Sequence, residues 1–220
     1  MEVLVPFSTD RPKSRLSSVL SSAEREAFAR VMLRDVLAAV REAGGDPTLL
    51  ATEPIEFDDD GSPRLIDGAV PDPVIVDERP LSTAVNAVLA DREPTPTSPV
   101  AVVMADLALA TPDALRRLFD GDGDVTIAPG RGGGTNALVV RHPAFRVDYH
   151  GASYPDHLRI AAEAGASVRE VDSHRLASDV DEPADLAELL IHGDGAATEW
   201  LRAAGFALET SDGRVGVGRE

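Results

Sequence analysis

Cysteine is absent from this chain of 220 residues, and lysine occurs only once, as Lys13. Without cysteine there can be no disulfide and no thiolate metal site, and the composition does not indicate the redox compartment. No apolar run approaches the roughly 20 residues that a membrane helix needs. The N-terminal residues, MEVLVPF, contain no basic region and no long apolar region. We therefore expect no secretory signal, no membrane partner and a cytoplasmic location.

Positive charge is also scarce. Asp and Glu total 38 against 21 Lys and Arg, which gives a formal net charge of -17, and every basic residue except Lys13 is an arginine. A nucleic-acid-binding surface would be basic, so this balance argues against a nucleic-acid partner. An acidic, lysine-poor and alanine-rich chain is typical of cytoplasmic proteins of salt-loving archaea, in which salt screens the self-repulsion. An ordinary acidic protein from a GC-rich genome is the alternative.

The hydrophobic content of 43% over this length is enough for one core, and we expect one domain over residues 1–220. Short apolar segments alternate with segments of helical periodicity. This alternation predicts a layered α/β fold with a mostly parallel central sheet. The predicted strands are Glu2–Pro6, Thr48–Thr52, Val74–Val76, Val100–Met104, Val125–Ala128, Asn136–Arg141 and Val168–Val171.

Several of the predicted helices have recognisable start signals. Ser21 and Glu24 form a capping-box pattern before the first helix, which the pair Gly44-Gly45 ends. Thr111 and Pro112 open another helix as N-cap and first helical residue. The acidic stretch 53–72, which contains three consecutive aspartates, predicts an exposed loop more readily than a metal site. The remaining predicted helices are Leu81–Asp91, Tyr154–Ala164, Pro183–Ile191 and Thr198–Ala204.

Acidic side chains follow two of the predicted strands, and sites in parallel sheets lie at the carboxyl ends of strands. Asp106 stands two residues beyond the run VAVVM, where a carboxylate is a natural ligand for Mg²⁺. Asp179 and Asp181 share one side of an extended segment and could complete a site for one or two metal ions with Asp106. The alternatives are that Asp106 only starts a turn, and that one of the other two caps the helix at Pro183.

Lys13 lies in the polar loop after the first strand, beside Arg11 and Arg15. Because the composition disfavours lysine, the single one retained suggests a place where an ammonium group is needed. Such a loop could hold nucleotide phosphates, with Lys13 stabilising charge at the α-phosphate. The alternative is a surface lysine that survived by chance.

The glycine-rich segment 130–136 can bring backbone N–H groups close to an anion, although a plain turn is the commoner role of such a loop. Gly151, Ser153 and His157 follow shortly afterwards in YHGASYPDH. We expect Ser153 to cap the next helix and to present its N-terminus to a phosphate or carboxylate. His157, one turn inside that helix, is expected to be structural or exposed and not catalytic.

Taken together, these segments resemble the 2-phospho-L-lactate guanylyltransferase family of coenzyme F-420 biosynthesis. The matching pieces keep the order of the family and span nearly the whole chain. The block GGGTNAL is the most specific of them, whereas SDVDEPADL is shared more widely among related nucleotidyltransferases. The pieces are PFSTDRPKSRL, MADLALATP, IAPGRGGGTNAL, YHGASYPDH and SDVDEPADL.

The resemblance implies a Rossmann-like nucleotidyltransferase fold of the nucleotide-diphospho-sugar transferase type, and a homodimer. It implies transfer of GMP from GTP to 2-phospho-L-lactate or phosphoenolpyruvate, with release of pyrophosphate and with Mg²⁺ as cofactor. It also implies catalytic residues and residues that hold the metal, the nucleotide and the acceptor. These are Lys13 and Asp106 for catalysis, Asp106, Asp179 and Asp181 for the metal, Lys13 and Arg15 for the nucleotide, and Thr135, Gly151 and Ser153 for the acceptor.

Two features depart from related patterns. The loop after the first strand lacks the pattern GGxSxRMG, which argues against the molybdenum-cofactor guanylyltransferases. Many members of the family carry a glycine three positions before the active-site serine, whereas here His150 holds that place and Gly151 follows. Three other functions stay open: a nucleotidyltransferase for another nucleotide or a sugar phosphate, a glycosyltransferase, and a non-catalytic GTP-binding protein.

Overall fold

The computed structural model describes residues 1–8, 13–54, 74–211 and 213–219. Arg11 and the three consecutive aspartates of the predicted acidic loop lie outside these ranges. Within them, seven strands form one large sheet. They are β1 (Glu2–Phe7), β2 (Asp46–Ala51), β3 (Val74–Val76), β4 (Val100–Val103), β5 (Val125–Pro129), β6 (Thr135–Val140) and β7 (Val168–Glu170).

The strands of this sheet lie in the order β3-β2-β1-β4-β6-β5-β7. All neighbouring pairs are parallel except the two that involve β6, which is antiparallel to both β4 and β5. The predicted mostly parallel sheet is therefore confirmed. The predicted strand Val100–Met104 forms β4, which is parallel to β1 and antiparallel to β6. Because β6 runs backwards, its first residues lie at the same edge as the carboxyl ends of the other strands.

The helices are largely those that the sequence predicts. The capping box at Ser21 and Glu24 is present in both directions, and Thr111 accepts a hydrogen bond from the backbone N–H of Ala114 at 3.3 Å. None of the described helices is both long and apolar enough to cross a membrane. The helices are α1 (Ser22–Glu42), α2 (Leu81–Arg92), α3 (Pro112–Phe119), α4 (Ser153–Ala164), α5 (His174–Ala177), α6 (Pro183–His192) and α7 (Ala196–Ala203), with a 3-10 helix at Ser14–Ser18.

Alternate side chains of the central strands bury on opposite faces of the sheet, as the two-residue period of a strand requires. Val5 and Val103 pack into a core with α1 and α3, whereas Leu4 and Val102 pack into a second core with α2 and α4. Burial of each such side chain stabilises the fold by about 1.5–3 kcal/mol relative to its exposure. The strand ends are thus held between two packed layers of helices.

A third core lies on the outer face of α1, where it packs against α6, α7 and a C-terminal hairpin. The rings of Phe28 and Trp200 lie 5.1 Å apart there, and Phe206 is buried in the same cluster. The hairpin consists of β8 (Phe206–Ser211) and β9 (Arg214–Arg219). Neither this hairpin nor the short α5 was predicted from the sequence.

Candidate active site

A cleft of about 300 Å³ opens at the carboxyl ends of the four adjacent strands β3, β2, β1 and β4. Most of its lining is apolar, with contributions from Phe7, Leu50 and Met104 among others. Four charged side chains also line it, and two of them, Lys13 and Asp106, are predicted site residues. The other two are Asp77 and Arg79.

The ammonium of Lys13 lies between two carboxylates that are far away in the sequence. Its Nζ donates to Asp106 Oδ2 at 2.7 Å and to Asp181 Oδ1 at 2.8 Å, and its side chain is only 10% exposed. Burial by itself would lower the pKa of Lys13, but the two carboxylates outweigh this effect and raise the pKa above its usual value. Lys13 is therefore a fixed positive charge and not an accidental surface residue.

The backbone of Lys13 is in the left-handed conformation, with φ 55° and ψ 43°. Residues with a Cβ rarely adopt this conformation, and such strain is characteristic of functional sites. Lys13 precedes the 3-10 helix, and its carbonyl accepts from the N–H of Leu16 at 2.9 Å. Leu16 is fully buried, so the core anchors the turn that carries the ammonium.

The remaining acidic residue, Asp179, lies near the same pair of carboxylates. Asn136 donates to Asp179 Oδ1 at 3.1 Å and to the carbonyl of Leu176 at 3.0 Å. Burial, and then the charge of Asp106, raise the pKa of Asp179. The predicted triad Asp106, Asp179 and Asp181 is thus brought together, and it concentrates negative charge that favours a cation.

Arg15 lies at the outer side of this cluster. Its Nη1 approaches Asp181 Oδ2 at 3.3 Å, and its side chain is 67% exposed. An exposed ion pair of this kind adds little to stability, so Arg15 is available to an anionic ligand.

The alternative roles for the acidic residues do not hold. The N-cap of α6 is Glu182, which forms a capping box with Asp185, so neither Asp179 nor Asp181 caps that helix. Asp106 does more than start a turn, because it binds Lys13 and its Oδ1 is a buried oxygen without a hydrogen-bond partner among the described residues. A buried orphan acceptor is costly unless a ligand satisfies it. An all-oxygen donor set with this orphan fits Mg²⁺.

The glycine-rich loop closes tightly over the start of β6. The N–H of Gly130 donates to the carbonyl of Gly134 at 2.9 Å, and Gly133 has φ 82°. A Cβ at Gly130 would lie 2.5 Å from Asn136 Oδ1, so this position has no room for a side chain. Arg131 donates to Asp185 Oδ1 at 2.8 Å, which ties the loop to α6.

The predicted acceptor residues form a second group beside the acidic triad. The prediction that Ser153 caps α4 is wrong: Ala152 is the N-cap and makes no side-chain cap bond. Ser153 Oγ instead accepts from the backbone N–H of Thr135 at 3.1 Å, because the start of β6 supplies a donor that competes with the helix end. Thr135 and Ser153 are both buried, whereas Gly151 is exposed with φ 96°.

His157 is fully buried and has the expected structural role. Its Nε2 accepts from the backbone N–H of Asp148 at 2.9 Å, so the ring hydrogen lies on Nδ1 and is donated to Thr135 Oγ1 at 2.8 Å. Burial lowers the pKa of His157 to about 4. A neutral imidazole therefore fixes the hydroxyl oxygen of Thr135 and leaves the hydroxyl hydrogen free.

Sequence reasoning missed two charged residues in the cleft. Arg79 donates through Nε to Asp77 Oδ1 at 2.9 Å, and its backbone N–H donates to the same oxygen at 3.0 Å. This hydrogen bonding lowers the pKa of Asp77 to about 2. The sequence does contain a signal for Asp77, because this residue directly follows the strand VIV and so stands at the carboxyl end of a parallel strand.

Two solved structures share this fold. A Desulfovibrio desulfuricans protein described as a nucleotide-diphospho-sugar transferase matches with a TM-score of 0.68 at 17% identity, over 92% of this chain and 94% of its own. A nucleotidyl transferase from Methanothermobacter matches with a TM-score of 0.54 at 15% identity, over 92% and 98%. The fold is thus that of the nucleotidyltransferases.

Relatives that are far more similar in sequence are haloarchaeal 2-phospho-L-lactate guanylyltransferases. The protein of Halorubrum lacusprofundi is 64% identical over 228 residues, and that of Halomicrobium mukohataei is 59% identical over 219, with full coverage of both chains in each case. The protein of Haloferax volcanii is 56% identical over 220 residues, covering 100% of this chain and 99% of its own. Residues 1–220 match the family described as "Guanylyl transferase CofC like", and the chain belongs to that family.

The buried neutral His157 predicts a pH dependence of stability. The pKa of 6.5 falls to about 4 on folding, so between these values the unfolded chain binds a proton that the folded chain does not. Stability from this group is complete above pH 6.5 and is lost as the pH falls towards 4, by roughly 3 kcal/mol in total. Urea unfolding at pH 7 and pH 4.5 should show a smaller loss for His157→Gln than for the unmodified protein. Equal losses of unfolding free energy in the two proteins would contradict the assignment of His157 as a buried neutral imidazole.

Proposed function

We propose that this chain joins GMP from GTP to 2-phospho-L-lactate, or to its three-carbon analogue phosphoenolpyruvate, in coenzyme F-420 biosynthesis. The products with phospholactate are lactyl-diphospho-guanosine and pyrophosphate. The observation that carries the proposal is the site geometry, in which the ammonium of Lys13 bridges Asp106 and Asp181 at 2.7 and 2.8 Å. Full-length membership in the guanylyl transferase family supports the choice of nucleotide.

The reaction is an attack by an acceptor phosphate oxygen on the α-phosphorus of GTP. The bond between the α-phosphorus and the bridging oxygen breaks, and pyrophosphate leaves with the electron pair. The acceptor phosphate is already anionic near neutral pH, so no strong general base is needed. Catalysis therefore consists mainly of alignment and charge neutralisation.

Asp106, Asp179 and Asp181 would hold Mg²⁺. When bound, this ion would neutralise negative charge on the phosphate oxygens and so make the α-phosphorus easier to attack. Lys13, which stays charged, would donate to an α-phosphate oxygen. Arg15, exposed at the rim, contacts the rest of the triphosphate.

The apolar cleft beside Lys13 is the natural place for the nucleotide base. Guanine presents two N–H donors, at N1 and N2, beside the acceptor O6 on one edge. On the next edge it presents two acceptors, O6 and N7, with which an arginine pairs well. Asp77 offers an ionised carboxylate and Arg79 offers guanidinium donors side by side in this cleft. We propose that this pair distinguishes guanine from adenine.

The acceptor site comprises Thr135, Gly151 and Ser153. Ser153 Oγ accepts from Thr135 N, and Thr135 Oγ1 accepts from His157, so each hydroxyl keeps its hydrogen for an anionic ligand. Gly151 adds exposed backbone at the same loop. The neighbouring Asn136 binds Asp179, which connects the acceptor group to the acidic triad.

The wider setting is proposed from the haloarchaeal relatives and the net charge of -17: a halophilic, cytoplasmic enzyme that works as a homodimer. High salt would screen the self-repulsion of the acidic surface.

The proposed reaction is tested by measuring pyrophosphate release from GTP, ATP, CTP and UTP, with phospholactate, phosphoenolpyruvate or a sugar phosphate as acceptor, at high salt with Mg²⁺. Release is expected only with GTP and a three-carbon phosphate, and Asp106→Asn should abolish it without unfolding the chain. Release only with a sugar phosphate would establish a different nucleotidyltransferase. GTP binding without release under any condition would establish a non-catalytic protein.

The single lysine gives a sharper prediction. Lys13→Arg keeps the charge but replaces a compact ammonium with a broader, planar guanidinium. The side chain at this position is only 10% exposed, so there is little room for the larger group. We expect kcat to fall at least tenfold, or about 1.4 kcal/mol in barrier, with a smaller loss of GTP affinity. Steady-state kinetics at saturating Mg²⁺ and acceptor measure both. Arg202→Lys on the exposed face of α7 is the control, and an unchanged kcat in Lys13→Arg would refute the role.

Base selection by Asp77 is tested with inosine triphosphate, which lacks the 2-amino group of GTP. The unmodified protein should prefer GTP over ITP and ATP in kcat/KM, and Asp77→Asn should reduce both preferences roughly tenfold, since about 1.4 kcal/mol of discrimination is lost. Asp113→Asn is a matched control, because Asp113 also pairs with an arginine, but on the exposed face of α3. Unchanged preferences in Asp77→Asn would show that the base is recognised by other residues.

A further inference from the structure

Two histidines and a glutamate converge on the surface of α5 and α6, away from the proposed catalytic residues. The Nε2 atoms of His174 and His192 lie 3.5 and 3.6 Å from the same oxygen, Glu188 Oε2. The potential ligand atoms of all three residues lie within 4.8 Å of one another, and the two imidazole rings are 5.2 Å apart. No part of the proposed reaction uses these side chains.

The geometry points to a binding site for a borderline divalent metal ion such as Zn²⁺. Bonds of about 2.0–2.2 Å from Zn²⁺ to nitrogen and oxygen place tetrahedral ligand atoms about 3.3–3.6 Å apart. Each histidine Nε2 lies at such a separation from Glu188 Oε2. Two imidazoles and one carboxylate form a donor set that suits Zn²⁺, Co²⁺ or Ni²⁺ and not Mg²⁺. Solvent would complete the coordination, because both histidines are about half exposed.

The two helices are already held in the arrangement that this site needs. Glu188 and His192 are one turn apart on α6, so they project from the same face. Arg175 donates to the carbonyl of His192 at 2.6 Å, which fixes the end of α6 against α5. Leu176 and Leu189 are fully buried and anchor the two helices in the core. Little rearrangement is required for a metal ion to bind.

The position of the site links it to the acidic triad. The segment between His174 and Glu188 contains Asp179 and Asp181, and its start is also held by the bond from Asn136 to the carbonyl of Leu176. A metal ion bound by His174, Glu188 and His192 would close this segment into a loop with both ends fixed. It would thereby restrict the motion of Asp179 and of Asp181, the latter of which contacts Lys13.

The test is a titration of the chelator-treated, untagged protein with Zn²⁺ by calorimetry, and with Co²⁺ by visible absorption. Saturating Mg²⁺ is present so that the hard oxygen cluster is occupied. We expect one site, whose Co²⁺ spectrum indicates nitrogen ligands. Binding should weaken at least tenfold, or about 1.4 kcal/mol, in His174→Ala, His192→Ala and Glu188→Gln. Zn²⁺ should raise the melting temperature of the unmodified protein and not that of His192→Ala.

The control is His150→Ala, because His150 lies 3.0 Å from Asp156 and is the rival histidine–carboxylate pair. This variant should bind Zn²⁺ as the unmodified protein does. Glu188→Gln keeps the size of the side chain, so it separates loss of a ligand from loss of the fold. The inference is overturned if the unmodified protein binds no Zn²⁺, if the three variants bind it equally well, or if His150→Ala abolishes the binding. None of these outcomes depends on nucleotidyl transfer.

Discussion

The ion pairs of Lys13 with Asp106 and Asp181 are the interaction on which the site depends. A buried charge is tolerated only when it is paired, and removal of one partner leaves the others uncompensated. Lys13 comes from the turn after β1, Asp106 from the end of β4, and Asp181 from the segment before α6. The three segments must therefore close together, and they do so at the sheet edge where the substrates are proposed to bind.

The reversed strand β6 supplies the second constraint. In an all-parallel sheet the glycine-rich loop would lie beyond the carboxyl end of one strand only, with the next strand starting at the far edge. Here β5 ends and β6 begins at the same edge, joined by five residues. Thr135 and Asn136 thus reach Ser153 and Asp179 directly. One antiparallel strand places the proposed acceptor group next to the acidic triad.

Local patterns predicted the parts of this arrangement that local forces determine. The capping box of Ser21 and the cap at Thr111 were confirmed because their partners lie within a few residues. The apolar strands were confirmed because a short apolar run bounded by turn residues indicates a buried strand without reference to its partner. Ser153 was assigned wrongly because a backbone donor from β6, 18 residues away, takes its hydroxyl. Asp77 was missed although it directly follows the strand Val74–Val76, because its cleft forms only once β3, β2, β1 and β4 lie side by side. The C-terminal hairpin was missed because a short, mostly exposed ladder has little apolar periodicity.

The negative net charge of the protein opposes the binding of its negatively charged ligands. GTP and a phosphorylated acid must both approach a chain whose formal charge is -17. The basic side chains proposed to receive them are Lys13 and Arg79 in the cleft and Arg15 beside it. At about 0.1 M salt the acidic surface would repel such ligands over about 10 Å, whereas in molar salt the screening length falls to about 3 Å. Recognition at high salt then depends on contacts within the cleft. A buried ammonium keeps its strength under those conditions, because mobile ions screen exposed pairs far more than buried ones.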